Sequence, residues 1–226
     1  MTAEEWSSCR DLPAMLEAAS TSVPEETLER KWRLLSCAAC RRLWPLLRDE
    51  RSRNAVEGSE KFADQLLSEQ ELERLMAAAE EAHSSERGER ERTAAAAAWW
   101  VAKGNSLNRY TQVPFLAANA AGSTAGMDHE ERGRAMAPEL EVHCELFRCI
   151  LGNPFQSVAV DPSWRTSTAV ALAVGSHDER AFDRLPILAD ALQDAGCEDE
   201  QLLGHCRGPG PHVRGCWALD LVLGKG

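Results

Sequence analysis

No stretch of this sequence is apolar for long enough to cross a bilayer. The longest uninterrupted run, 94–102, has nine residues, against about 20 for a membrane helix. Basic charge is scarce too: 25 Lys and Arg stand against 36 Asp and Glu, a formal net charge of −11. That balance excludes broad electrostatic binding to nucleic acid or to anionic membranes, since both need a basic face. The opening MTAEEWSSCR lacks the charged-then-apolar layout of a signal peptide, which points to a cytoplasmic protein. Several catalytic signatures are missing. There is no Walker loop, no G-x-G-x-x-G fingerprint and no G-x-S-x-G elbow. His129-Glu130-Glu131 and His177-Asp178-Glu179 begin like H-E-x-x-H but lack the second histidine four positions on.

What the chain does have is a globular balance, 44% hydrophobic and 27% charged, with a helical rhythm along most of its length. From Glu25, the residues Leu28, Trp32, Leu35, Ala39, Leu43 and Leu46 recur every three or four positions, one face of a helix running to about Leu47. Residues 49–92 hold 13 acidic and 7 basic side chains, so they read as two helices with solvated outer faces. Ser68 can cap the second of them ahead of Glu71. The run TAAAAAWWVAK has high helix propensity. Residues 104–126, with Asn105, Pro114, Gly122 and Gly126, read as a connector holding at most a short helix. Asp128 opens a further helix to about Leu151, and shorter helices follow over 166–176, 178–195, 198–205 and 212–223.

The expected fold is therefore all-α, an irregular multi-helix bundle with at most one short extended segment near 155–161, where QSVAV could form a strand. One helical domain, 1–226, is expected, with a charge-rich and Ala-rich helical hairpin over 49–103. A C-terminal helical subdomain, 152–226, would pack on the 25–47 helix, with Trp32, Trp44 and Trp217 in the shared core.

Potential chemistry gathers in the tail. Between Gly196 and Gly226 lie Cys197, Cys206, Cys216, His205 and His212, on either side of a Gly-Pro-Gly-Pro turn. In a reducing compartment eight cysteines are buried small hydrophobes, metal ligands or reactive thiols rather than disulfides. The candidate metal site draws Cys37 and Cys40 from the first long helix, and its remaining ligands from Cys197, His205, His212 and Cys216. Zinc takes four such sulfur or nitrogen ligands in a tetrahedron. Buried packing cysteines are the default reading against which the zinc site stands, because no second C-x2-C accompanies the first and Cys37 sits mid-helix among apolar neighbours. A cysteine nucleophile is a further reading: His212 and Cys216 have helical spacing, whereas the adjacent His205 and Cys206 would diverge on a helix. Pro209 and Pro211 have no N–H to offer a phosphate, so the Gly-Pro segment reads as a turn.

The wording of several segments resembles a large uncharacterised family of bacterial proteins, numerous in planctomycetes. The resemblance rests on MTAEEW, KWRLLSCAACRRLW, GNPFQSVAVDPSW, ERAFDRLPILADALQDAGC and HCRGPGPHVRGCWALDLVLGK. It implies no particular activity and carries no catalytic residues. The functional expectation is a non-catalytic protein-interaction or regulatory module with a protein partner, which structural zinc could stabilise. The alternative is a cysteine- or metal-dependent hydrolase using the C-terminal Cys/His cluster.

Overall fold

A computed structural model describes all residues except 105, 106, 123, 125 and 226, and the side chains of all but 107–111 of those it places. The protein is all-α: twelve α-helices and two short 3-10 turns, with no strand among the described residues. The chain divides into two compact units, Cys9–Cys144 and the pair of segments Met1–Ser8 and Glu145–Gly226.

The larger unit holds α2 (Leu12–Ser22), α3 (Glu25–Arg42), α4 (Glu50–Ala63), α5 (Glu69–Ser85), α6 (Glu89–Lys103), α7 (Leu107–Gly122) and most of α8 (His129–Leu151). Several starts have a local cause. Asp11 accepts from the Ala14 N–H and begins α2. Ser68 and Glu71 close a reciprocal capping box at α5, so two otherwise unsatisfied N–H groups find partners. Asp128 and Glu131 do the same for α8. The alanines of α6 (Ala94, Ala97, Ala98) lie in one core with Val113, Ala117 and Ala120 of α7 and Cys37, Ala39 and Cys40 of α3. Small side chains let these helix axes approach closely. Glu60 is nearly buried, and Arg41 compensates its charge by donating from Nε and Nη2 to the two carboxylate oxygens at 3.1 and 2.7 Å.

Two expectations need correcting in this unit. The helix begun at Glu25 ends at Arg42, and the chain to Leu47 continues in turns ahead of Pro45 and beyond, because proline has no N–H to continue the ladder. Where a connector over 104–126 is expected, α7 runs for 16 residues with Pro114 inside it. Val113, Ala117, Ala118 and Ala120 are all buried, and burial of that face outweighs the one backbone bond that Pro114 removes. Asn105 of the expected connector lies outside the described residues.

The smaller unit begins with α1 (Ala3–Ser8). Trp6 is fully buried, packs on Phe147 and Phe155 with ring centroids 5.4 and 6.1 Å away, and donates its Nε1–H to the Gly152 carbonyl at 2.8 Å. Gly152 ends α8 with φ +74°, a left-handed conformation open to glycine. Residues 157–161 are irregular rather than a strand, and Asp161 caps the first 3-10 turn. Then come α9 (Ser167–Asp178), α10 (Leu185–Asp194), α11 (Glu200–Arg207) and α12 (Trp217–Leu223). Leu185, Leu188, Leu192, Leu202, Leu219 and Val222 form the core of this unit, with Trp217 at its margin. The last helix starts at Trp217 and not at His212, since Pro211 and the left-handed Gly210 and Gly215 hold 208–216 in a loop.

No described helix is long and apolar enough to cross a membrane.

Candidate metal centre

Four side chains of the smaller unit converge: Cys149, His205, His212 and Cys216, with one ligand atom from each lying within 4.8 Å of all the others. Cys149 comes from the last turn of α8 and His205 from α11. His212 and Cys216 come from the loop that joins α11 to α12. The two cysteines are buried and the two histidines half-buried.

The loop geometry brings the last two inward. Gly208 closes α11 by donating its N–H to the Gly204 and His205 carbonyls. The Gly210–Pro211 peptide is cis, and Gly210 has φ +89°. A Cβ at Gly210 would stand 2.8 Å from the His212 backbone nitrogen, so only glycine fits there. After His212 the chain turns again through Gly215, and the Cys216 N–H donates to the Val213 carbonyl at 3.0 Å. His212 and Cys216 therefore meet across a turn, and not along one face of a helix as their spacing suggests.

The ring contacts fix which nitrogen faces inward. His205 Nε2 lies 3.2 Å from Cys216 Sγ. The ring of Trp217 packs on His205 at a centroid distance of 5.2 Å, and the two imidazoles meet edge to face at 4.9 Å. His212 Nε2 lies 3.2 Å from the Gly208 carbonyl; as the donor tautomer it leaves Nδ1 unprotonated. Nδ1 is buried and forms no well-aligned hydrogen bond, although the ring stands close enough to Cys216 to shift its titration. A ring N–H held by a backbone carbonyl is the usual support of a metal-ligating histidine, because it fixes both tautomer and orientation.

Electrostatics favour the deprotonated sulfur a metal requires. Burial alone would push the Cys216 thiol up, but the neighbouring Cys149, His205 and His212 side chains overcome it and hold the group well below its ordinary range. Burial would push His212 down, while Cys216 and the Gly208 carbonyl raise it. Thiolate and imidazolium thus favour each other when no cation is present. A cation can replace the imidazolium proton as the countercharge.

The site joins only some of the expected residues. His205, His212 and Cys216 meet as the sequence suggests. Cys37 and Cys40 lie in α3 of the other unit, buried in its apolar core, and burial pushes both thiols far up. Cys37 donates weakly to the Val56 carbonyl at 3.8 Å. Cys197 is also outside the group; it packs in the core of the smaller unit, where burial raises it. Cys206 points away from His205 into the same core and is pushed up to about 12 by burial. Sequence reasoning overlooked Cys149. Its signal is a break in phase: the stripe Leu140, Cys144, Phe147 and Leu151 marks one face of α8, and Cys149 falls off that stripe.

Arg207, considered as part of an anion-binding patch, is engaged by Asp190 at 2.7 Å and Gln193 at 2.7 Å. No family model, no curated protein and no solved structure matches the chain, so the centre is read from its own geometry.

Proposed function

We propose that Cys149, His205, His212 and Cys216 bind one zinc ion, and that the ion holds together the smaller unit of a non-catalytic protein-interaction module. The observation that carries this reading is the approach of two sulfur and two nitrogen donors to within 4.8 Å of one another. In a zinc tetrahedron with Zn–S of about 2.3 Å and Zn–N of about 2.0 Å, neighbouring donors stand roughly 3.3 to 3.8 Å apart. Small side-chain rotations close that difference. An S2N2 donor set suits zinc over hard cations such as magnesium or calcium. A mixed-ligand iron–sulfur cluster would need its cysteines on one iron and its histidines on another. Here His205 Nε2 adjoins Cys216 Sγ, which favours a single ion.

Four protein ligands leave no open coordination position, and a closed site is structural rather than catalytic. The zinc would join the end of α8, α11 and the lead-in to α12, which contribute Cys149, Cys206 and Cys216 to one core cluster. The hydrolase reading draws on the close His205–Cys216 pair, which is what an activated thiol needs. Cys216, however, is fully buried, and a nucleophile has to reach its substrate. The net charge of −11 disfavours polyanionic ligands and leaves a protein partner as the reading. Membership of the planctomycete-type family is part of the same proposal: three of the four ligands fall inside the HCRGPGPHVRGCW segment on which that resemblance rests. Two ligand thiols suit a reducing compartment such as the cytoplasm.

Metal analysis of protein purified without added zinc tests this directly, and one equivalent per chain is expected. Substitution by cobalt should give the visible bands of a tetrahedral thiolate site. Well under one equivalent, or an octahedral cobalt spectrum, removes the proposal.

A further inference from the structure

We propose that Cys149 and Cys216 are a peroxide-oxidisable thiol pair, and that joining them in a disulfide ejects the zinc. The inference rests on the zinc reading and deepens it. Two of the four donors are thiols carried by different elements, one in the last turn of α8 and one ahead of α12. Their ligand atoms are within 4.8 Å of each other. A disulfide needs the sulfurs about 2.05 Å apart, so the bridge requires motion only across the space the ion would occupy. The two states exclude each other: a sulfur bonded to its partner no longer serves as a thiolate ligand.

Access is the second observation. A cleft of about 370 Å³ opens on the site, and its walls include Cys149, His205 and His212 together with Glu145 and Arg148. Cys216 is fully enclosed behind them. Cys149 is 2% exposed and forms part of the cleft wall, so of the two thiols it is the one a small oxidant can reach, and Cys216 is placed to resolve the product.

The chemistry balances with hydrogen peroxide as oxidant. Cys149 Sγ attacks one peroxide oxygen, the O–O bond breaks, and the departing hydroxide takes a proton to become water. The resulting sulfenic acid is attacked by Cys216 Sγ; the S–S bond forms, the S–O bond breaks, and a second hydroxide leaves and is protonated. Two thiolates lose two electrons in all, and one peroxide with two protons becomes two waters. Zinc changes no oxidation state; with two ligands gone it is released. A thiol reductant with fresh zinc reverses the sequence.

The test uses the full-length, zinc-loaded chain titrated with hydrogen peroxide. A chromogenic chelator reads released zinc, and non-reducing peptide mapping locates any bridge. One zinc released per Cys149–Cys216 disulfide, recovered by dithiothreitol and zinc, is the expected result. The double variant Cys197→Ser, Cys206→Ser should release zinc as the parent does. Zinc retained at a peroxide dose that oxidises Cys9, or a bridge mapping to Cys197 or Cys206, overturns the pair and leaves the zinc site standing. If the starting protein holds no zinc, the function proposed above falls. The disulfide map of the same sample then decides the thiol pair alone: a Cys149–Cys216 bridge upholds it, and any other product rejects it.

Discussion

At the scale of single residues, the site depends on how a few backbone angles aim side chains that have little local reason to meet. His212 illustrates this. Its Nε2 is 3.2 Å from the Gly208 carbonyl, and that contact turns Nδ1 inward. Replacing His212 by Ala removes one donor of four and is expected to weaken zinc binding by on the order of 100-fold or more, beyond the 10–100-fold typical of outer-shell changes. Competition with a chelator of known affinity reads the change, and an unaltered affinity would place His212 outside the coordination sphere. Gly210 is the companion case. Its φ of +89° and the 2.8 Å approach of a Cβ to the His212 nitrogen make Gly210→Ala costly, by about 1–3 kcal/mol. Both stability and zinc affinity should fall, since the strained turn sets the position of a ligand. Three of the four converging side chains crowd into one short segment of the sequence, which is what makes them legible there. Cys149 is not, because its break in phase with the α8 stripe is a weak mark that a packing cysteine can share. For the Cys37-x2-Cys40 pair, close spacing suggests chelation, while within α3 both residues sit in an apolar core.

At the scale of elements, helix starts were the most readable feature, since capping is local chemistry. Ser68 with Glu71 was recognised from four residues of sequence and is a reciprocal box in the structure. Ser68→Ala should cost about 1 kcal/mol. The helix α7 was hidden because its formation depends on α3 and α6 packing against Val113, Ala117 and Ala120, contacts that no local window contains. One tertiary link between helices makes a pH prediction. Glu139 of α8 accepts from Nε and Nη2 of Arg42 of α3, and His143 stands 3.3 Å away. Burial would raise its carboxyl, but the hydrogen bonds with His143 and Arg42 bring it from 4.5 to about 2. A depressed carboxylate contributes stability that is full above its unfolded value and is lost as pH falls through the folded one. The larger unit should therefore lose about 1 to 3 kcal/mol between pH 4.5 and 2 on this account. Glu139→Gln should flatten the stability profile in that window while lowering stability near neutrality. Denaturant midpoints measured across the pH range decide it; an unchanged acid slope in the variant would mean the ion pair contributes nothing.

At the scale of the whole molecule, the division into Cys9–Cys144 and Met1–Ser8 with Glu145–Gly226 lets metal dependence be assigned to one part of the chain. All four proposed ligands belong to the smaller unit. A ligand that binds only the folded form stabilises it by about 4 kcal/mol at a thousand times its dissociation constant, and a structural zinc ion held by thiolates exceeds that level readily. Removing zinc with a chelator should therefore lower the melting temperature of the smaller unit and leave that of the larger one unmoved. Trp217 provides a local reporter, because its ring packs 5.2 Å from His205 and its surroundings loosen when the site does. The Arg41–Glu60 pair gives the opposite control. Glu60 is 3% exposed, so Arg41→Ala takes two charge-assisted hydrogen bonds from a buried carboxylate, at a cost of about 1.5–3 kcal/mol. That variant should destabilise the larger unit with zinc still bound at one equivalent. Calorimetry of the intact chain separates the cases. Chelation should shift one transition and Arg41→Ala the other; if each treatment moved both transitions equally, the two units would be unfolding as a single cooperative body, and the zinc would be stabilising the whole chain instead of its C-terminal part.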